Sequence, residues 1–268
     1  MTSSLLANDF VPGDDASARS IIIGILRERC PTGFSPIEKS DKIARLTPSR
    51  RKSIASWAAS FPGALNIPDM DGRTPLAWLA RYEEPALLRQ FLALGANPRG
   101  AASSSPHGIH PVAQACELRH GASLEVIAMA AGVEDILFGI GPGSSAEYPC
   151  SGARALFMAA MNTNIRGMET LLAIGADANA LTAHGDTPMH ALAIFQKKAL
   201  RAMPCAELLA GKFPDMIFAE NNAGFTPAAL ATLHESPMAA PLLAMEEARR
   251  LLLAQLTSTA DRQASPRL

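Results

Sequence analysis

The sequence predicts an all-α fold built from stacked helical units, and three observations carry this prediction. The pattern Gly-x-Thr-Pro occurs at residues 72–75, 185–188 and 224–227. Thr is a preferred N-cap and Pro a preferred first helical residue, so each copy indicates a helix start. Phe61-Pro62 and Phe213-Pro214 each lie eleven residues before a Gly of this pattern. Hydrophobic residues make up 48% of the chain and aromatic residues only 5%, which favours closely packed helices over a β-sandwich. Self-similarity of this kind is typical of a solenoid.

Residues 166–193 contain the clearest unit of the repeated pattern. An apolar helix ends at Gly175, a polar turn follows to Gly185, and Thr187-Pro188 begins the next helix. The segments Gly185-Asp186-Thr187-Pro188-Met189-His190 and Gly175-Ala176-Asp177-Ala178-Asn179-Ala180 resemble the ankyrin-repeat family. The resemblance implies an ankyrin-repeat solenoid of about five repeats, several of them degenerate, with stacked helix-turn-helix units and projecting turns.

The chain divides into three predicted regions. Residues 1–35 are an N-terminal extension with an amphipathic helix over 16–29, where Ile21, Ile22, Ile25 and Leu26 are apolar at helical spacing. Residues 36–256 form the solenoid, and its first part, 36–65, is a divergent N-terminal cap with a short helix at 36–46. Residues 257–268 are polar and are predicted to be a disordered tail.

The repeats follow one another at uneven spacing. Arg154 and Thr187 are 33 residues apart, which matches the family unit, whereas Thr187 and Thr226 are 39 apart. We therefore expect residues 196–204 to lengthen the inner helix of the fourth repeat or its loop. The final outer helix is predicted over 241–256. The repeats are predicted to start at residues 66, 110, 154, 187 and 226.

Composition and charge exclude several classes of function. The net charge is −1, so no bulk electrostatic attraction favours nucleic acid or an anionic membrane. No apolar run approaches the ~18 residues that a membrane-spanning helix needs. The four cysteines have no Cys-x-x-Cys spacing and are predicted to be reduced thiols in a cytoplasmic protein.

Candidate chemical sites each have a structural alternative, which we prefer. Thr187 and His190 suggest a catalytic pair, but in ankyrin repeats such side chains hydrogen-bond the turn backbone. Cys150 has no neighbouring His or Asp to activate it. No metal site and no cofactor are predicted, because the spacing of the one suggestive cluster is unlike zinc sites. That cluster is His107, His110, Cys116 and His120.

A basic stretch lies between residues 39 and 52. It contains Lys39, Lys42, Arg45, Arg50, Arg51 and Lys52. It could recognise an acidic partner, but a solvated helix face is the preferred interpretation.

The ankyrin resemblance implies a binding surface for another protein. In that family the turn tips and the inner helices form a concave face that contacts protein partners. An exposed aromatic or Arg side chain at a tip is a plausible binding anchor. Carried over by position, the partner-binding residues are Met70, Asp71, Arg73, His107, His184, Asp186, Asn222 and Phe225.

We therefore expect a non-catalytic protein–protein interaction module with no small-molecule substrate. The chain has 18 arginines and 6 lysines, which suggests a bacterial source with a GC-rich genome. A bacterial effector secreted into a host cell is one elaboration of this expectation. The alternatives are a regulatory or inhibitory subunit of a bacterial enzyme, and an effector enzyme with an unrecognised site in the N-terminal region.

Overall fold

The computed structural model describes residues 13–29, 46–70, 72–100, 111–116, 121–131, 155–194 and 199–264. Within these ranges every regular element is a helix and there is no strand, which confirms the predicted all-α class for this part of the chain. None of the helices described is long and apolar enough to cross a membrane. The chain forms two compact units, residues 1–136 with 141–144 and residues 137–140 with 145–268.

The described part of the first unit contains six α-helices and one 3-10 helix. Helix α3 packs against α1, α4 and α5, and α6 packs against α4 and α5. The largest fully buried side chains include Ile22, Ile54, Leu76, Phe91 and Leu124, which come from five different helices. The helices are α1 (Asp15–Arg29), α2 (Pro48–Ser60), α3 (Pro75–Leu79), α4 (Pro85–Ala93), α5 (Pro111–Cys116) and α6 (Ala122–Ala131), with the 3-10 helix at Pro62–Asn66.

Helix α1 lies against α2, α3 and the 3-10 helix of the first unit. Two hydrogen bonds attach it to the segments around α3. The Tyr82 hydroxyl donates to the Leu26 carbonyl, and Arg19 Nη1 donates to the Pro68 carbonyl at 2.8 Å. The amphipathic helix expected over 16–29 is therefore present and buries its apolar side in this unit. The short helix expected at 36–46 lies, apart from residue 46, outside the described residues.

In the second unit, α9 packs against both α7 and α11. Helices α8 and α10 contact each other, α10 also contacts α9, and α12 packs on α11. Phe157, Leu171, Met189, Leu209 and Leu242 are buried between these helices. The helices are α7 (Ala155–Met161), α8 (Ile165–Ala173), α9 (Pro188–Ile194), α10 (Ala199–Lys212), α11 (Pro227–Leu233) and α12 (Ala239–Ala264), with a 3-10 helix at Pro214–Phe218.

Two boundaries in the second unit differ from those predicted. Residues 199–204 begin the outer helix α10 rather than lengthening the inner helix or its loop, and Ala202 is fully buried there. Residues 257–264, predicted to be disordered, continue α12. No Gly or Pro occurs between residues 242 and 265, so the first strong helix-ending signal is Pro266. Residues 265–268 lie outside the described part of the chain.

Candidate functional site

Three turns in the described chain share one hydrogen-bond pattern. These are turn 69–74 in the first unit and turns 182–187 and 221–226 in the second. In each, the first residue donates its backbone N–H to the carbonyl four residues later, at 2.9–3.0 Å. Its side-chain oxygen accepts the backbone N–H of that same later residue, at 2.9–3.1 Å. The pairs are Asp69 with Arg73, Thr182 with Asp186, and Asn221 with Phe225.

The Gly-x-Thr-Pro sequence explains why these turns form. Gly72, Gly185 and Gly224 have φ of 80°, 76° and 78°, a left-handed conformation that side chains disfavour. Thr then caps the next helix through its hydroxyl, which accepts a backbone N–H three residues on. Thr74 and Thr226 do this at 3.3 and 3.2 Å, as predicted for the N-cap position.

The two turns of the second unit are joined directly to each other. The Asn222 backbone N–H donates to the His184 carbonyl at 3.0 Å, and its side-chain amide donates to the Ala183 carbonyl at 3.1 Å. The Asn221 side-chain amide donates to Asp186 Oδ1 at 2.9 Å. Turns 182–187 and 221–226 therefore form one hydrogen-bonded platform, which we call the turn platform.

His190 adds a fourth link inside the turn platform. Its Nδ1 accepts the Thr187 backbone N–H at 3.1 Å, so Nε2 carries the proton and donates to the Phe225 carbonyl at 2.9 Å. The imidazole is fully buried. Burial lowers the pKa of His190, although the Phe225 carbonyl and the charge of Asp186 act in the opposite direction. Both ring nitrogens are engaged, which favours the structural interpretation of the Thr187–His190 pair.

Turn 69–74 obtains its support in a different way. Ala77 occupies the place of His190. Trp78, the next residue, donates its indole N–H to Asp69 Oδ2 at 2.8 Å, across the base of its own turn. The Arg73 guanidinium lies 4.9 Å from the centre of a Trp78 ring, which is a cation–π distance. The Trp78 side chain of α3 thus supports this turn.

The predicted partner-binding residues are unequally accessible. Met70 is fully exposed, and His184 and Asn222 are also exposed at the tips of their turns. Arg73 and Phe225 are half-buried. Asp71 and His107 lie outside the described residues.

Asp186 departs from the expectation of an exposed tip. It is only 2% exposed, and its carboxylate accepts the hydrogen bond from Asn221. Asp186 therefore belongs to the interior of the turn platform and not to its surface. Sequence position alone missed this role, because the residue at the same place is Arg73 in one turn and Phe225 in another.

The inner helices offer less surface than the resemblance implies. All five residues of α3 are buried, and in α9 every residue from Pro188 to Ala193 is buried. Helix α11 differs because Ala229, Thr232 and Leu233 are exposed. The inner-helix part of the expected binding face is therefore buried in α3 and in Pro188–Ala193 of α9, and the exposed residues Met70 and His184 lie in the turns that precede these two helices.

The other candidate sites contribute little to this surface. Of the suggestive metal cluster only Cys116 is described, and it is fully buried. No group of three or more His, Cys, Asp or Glu side chains in the described ranges is arranged to hold a metal. Arg51, in the basic stretch, lies 2.6 Å from Glu84, and the hydrogen bond to this carboxylate raises the pKa of Arg51. Cys150 lies in a part of the chain that is not described.

No protein-family model matches the chain, and comparison with curated proteins also finds no match. The resemblance to ankyrin repeats therefore rests on the sequence motifs alone.

Proposed function

We propose that the chain is a non-catalytic ankyrin-repeat protein that binds another protein through its turn tips. The recurrence of one turn geometry ahead of three Thr-Pro helices supports this proposal. The helix ends recur as well. Gly95 and Gly175 have φ of 90° and 93°, and the residue after each donates its N–H to a carbonyl five residues back at 2.9 Å. Such left-handed helix ends followed by projecting turns suit a stacked repeat.

The turn platform is the observation that carries the binding proposal. Its four inter-turn hydrogen bonds fix the backbone at the same place where Ala183, His184, Asn222 and Ala223 are exposed. A surface that is already ordered loses little conformational entropy on binding. The buried residues hold the platform together, and the exposed residues remain accessible to a partner.

The turn tips of the two units present different side chains. Met70 projects fully into solvent from turn 69–74. It is close in sequence to Arg73, whose guanidinium lies over the Trp78 ring. His184 and Asn222 present polar side chains from the second unit. Met and Arg are both enriched at protein interfaces. In the first unit, Met70 would fit a small apolar pocket on a partner; in the second unit, the turn platform would suit polar groups on a partner.

The proposal is tested by crosslinking mass spectrometry on the tagged chain with a matched pair of variants. Met70→Glu introduces a charge at a proposed tip, whereas Met129→Glu introduces the same charge on α6, where Met129 is 66% exposed. We expect Met70→Glu to lose a partner that Met129→Glu retains. His184→Ala and Asn222→Ala test the turn platform in the same way.

Equal partner retention by all four variants would contradict binding through the turn tips. Circular dichroism on each variant ensures that a lost partner does not reflect lost folding. Parallel captures from host-cell and bacterial lysates distinguish an effector from a regulatory subunit of a bacterial enzyme.

A further inference from the structure

The last helix pair of the second unit, α11 with α12, exposes positions that earlier helices bury. Helices α9 and α11 have the same length and the same Thr-Pro start, with equivalent residues 39 apart. His190 and Ala193 of α9 are fully buried. Their equivalents on α11, Ala229 and Thr232, are exposed, and the neighbouring Leu233 is 59% exposed. One side of α11 is therefore uncovered where α9 is packed.

The outer helices α8 and α12 show the same difference. Thr163 and Glu235, which precede them, both have left-handed backbone with φ of 51° and 49°. In both places the next residue donates its N–H to a carbonyl five residues back, so equivalent positions lie 72 apart. Two buried side chains of α8 then correspond to exposed ones of α12. Met168 and Leu171, both 0% exposed, correspond to Ala240, which is exposed, and Leu243, which is 47% exposed.

In a stacked arrangement of helix pairs, such a side is ordinarily covered by a neighbouring pair or carries polar residues. The exposed side of α11 and α12 carries Ala and Leu at positions whose equivalents in α9 and α8 are buried. We call this surface the end face. It consists of Ala229, Thr232, Leu233, Ala240, Leu243, Glu247, Arg250 and Ala254.

The charge pattern on α12 fits a second copy of the same helix packed against the end face. Leu243, Glu247, Arg250 and Ala254 follow one another at intervals of four, three and four residues, so they share one side of the helix. All four are exposed. If a second α12 packs antiparallel, with a two-fold axis between residues 248 and 249, Leu243 faces Ala254 and Glu247 faces Arg250. This row of four side chains is therefore complementary to a second copy of itself.

Arg250 remains available for such a contact. Its guanidinium donates to Glu246 of its own helix at 2.9 Å and lies 5.6 Å from the Phe218 ring. The side chain is nevertheless 66% exposed. A guanidinium has five N–H donors, so a second carboxylate can be bound from the solvent side.

We infer that two copies of the chain associate through the end face in a two-fold symmetric pair with their α12 helices antiparallel. An identical patch that meets itself about a two-fold axis is the commonest kind of homodimer contact. The leucines supply the buried apolar area, and the Glu247–Arg250 pairs, formed twice, fix the antiparallel register.

Sedimentation velocity of the full chain over a dilution series tests the pairing. We expect a reversible monomer–dimer equilibrium for the wild type. Leu233→Glu and Leu243→Glu place a charge in the apolar part of the end face and should weaken self-association by more than about tenfold. Met129→Glu places the same charge on α6, at a side chain that is 66% exposed, and should leave self-association unchanged. A wild type that stays monomeric, or a dimer that both Leu variants retain, would overturn the inference.

A charge exchange tests the antiparallel register. Glu247→Arg alone places two like charges opposite each other and should weaken the dimer, and Arg250→Glu alone should do the same. The double variant Glu247→Arg with Arg250→Glu restores opposite charges across the axis, so it should recover dimerisation. Thermal unfolding of each variant shows that the fold is kept. A double variant as weak as the single variants would overturn the antiparallel pairing.

Discussion

The turn platform of the second unit and turn 69–74 of the first unit have the same backbone hydrogen bonds but different supports. In the platform, Asn221, Asn222 and His190 bind one turn to the next. In turn 69–74, the Trp78 indole N–H donates to Asp69, and the Arg73 guanidinium lies over the Trp78 ring. Gly-x-Thr-Pro therefore specifies the turn, whereas residues outside the pattern decide what holds it in place.

Among the substitutions that test this comparison, His190→Ala should cause the largest loss of stability. The substitution leaves the Thr187 N–H without its acceptor, removes the link to the Phe225 carbonyl and opens a cavity in a fully buried place. We expect the free energy of unfolding to fall by about 3 kcal/mol, measured by urea denaturation. His184→Ala serves as the control, because the exposed His184 side chain should contribute less than about 0.5 kcal/mol. Equal losses in the two variants would contradict the role of His190.

Gly185 and Gly224 occupy the same place in the two turns of the turn platform. Gly185 and Gly224 have nearly the same φ, 76° and 78°. A Cβ on Gly185 would lie 2.8 Å from the Asn222 backbone nitrogen, whereas a Cβ on Gly224 meets nothing within 4 Å. We expect Gly224→Ala to cost about 1 kcal/mol from backbone strain and Gly185→Ala at least about 2 kcal/mol. Thermal unfolding of both variants measures the difference, and a larger loss for Gly224→Ala would refute the close contact between the turns.

The two glycines also show how far the sequence predicts the turns. The Gly-x-Thr-Pro pattern predicts that Gly185 and Gly224 end a turn and that Thr187 and Thr226 precede helices, because these residue types have local conformational reasons to be there. It does not predict that Asn222 lies against Gly185. That contact depends on how two turns 37 residues apart in sequence pack together, and no local preference encodes it.

In turn 69–74 a smaller effect is expected from Trp78→Phe. The change removes the indole N–H that binds Asp69 and weakens the contact with Arg73, while most of the buried ring area is kept. We expect a loss of about 1 kcal/mol in urea denaturation. The variant should leave the hydrogen bonds of the turn platform in place, because none of them involves Trp78. A stability equal to that of the wild type would show that the Trp78–Asp69 bond does not support this turn.

The smallest expected effect is on the pH dependence of stability, because the turn platform contains the buried His190 and turn 69–74 has Ala77 at that place. Burial lowers the pKa of His190 in the folded chain, so the unfolded chain binds a proton at higher pH than the folded chain does. The contribution of neutral His190 is therefore complete above the ordinary His pKa of about 6.5 and is lost as pH falls through the lowered value. Urea denaturation between neutral and mildly acidic pH should show this loss in the wild type. His190→Ala should have a flatter profile, and an identical slope in both proteins would contradict the assignment.

The limits of sequence prediction are clearest at Asp186 and at the end of the chain. Asp186 carries a charge in a turn, which predicts exposure, yet the amide of Asn221 compensates its burial. The polarity of residues 257–268 predicts disorder, but polar residues without Gly or Pro continue a helix that has already begun, and α12 runs to Ala264. Helix starts were predictable because Thr-Pro acts locally, whereas burial and helix length depend on neighbours.

Amide hydrogen exchange, compared between the wild type and His190→Ala under native conditions, tests most directly that the turns of the second unit form one platform. The Thr187 and Asn222 amides, which donate to His190 and to the His184 carbonyl, should be protected in the wild type. In the variant we expect faster exchange at both amides and no change at the Arg73 amide, which donates to Asp69. Faster exchange at Thr187 with unchanged protection at Asn222 would show that the two turns open independently, and would contradict the platform.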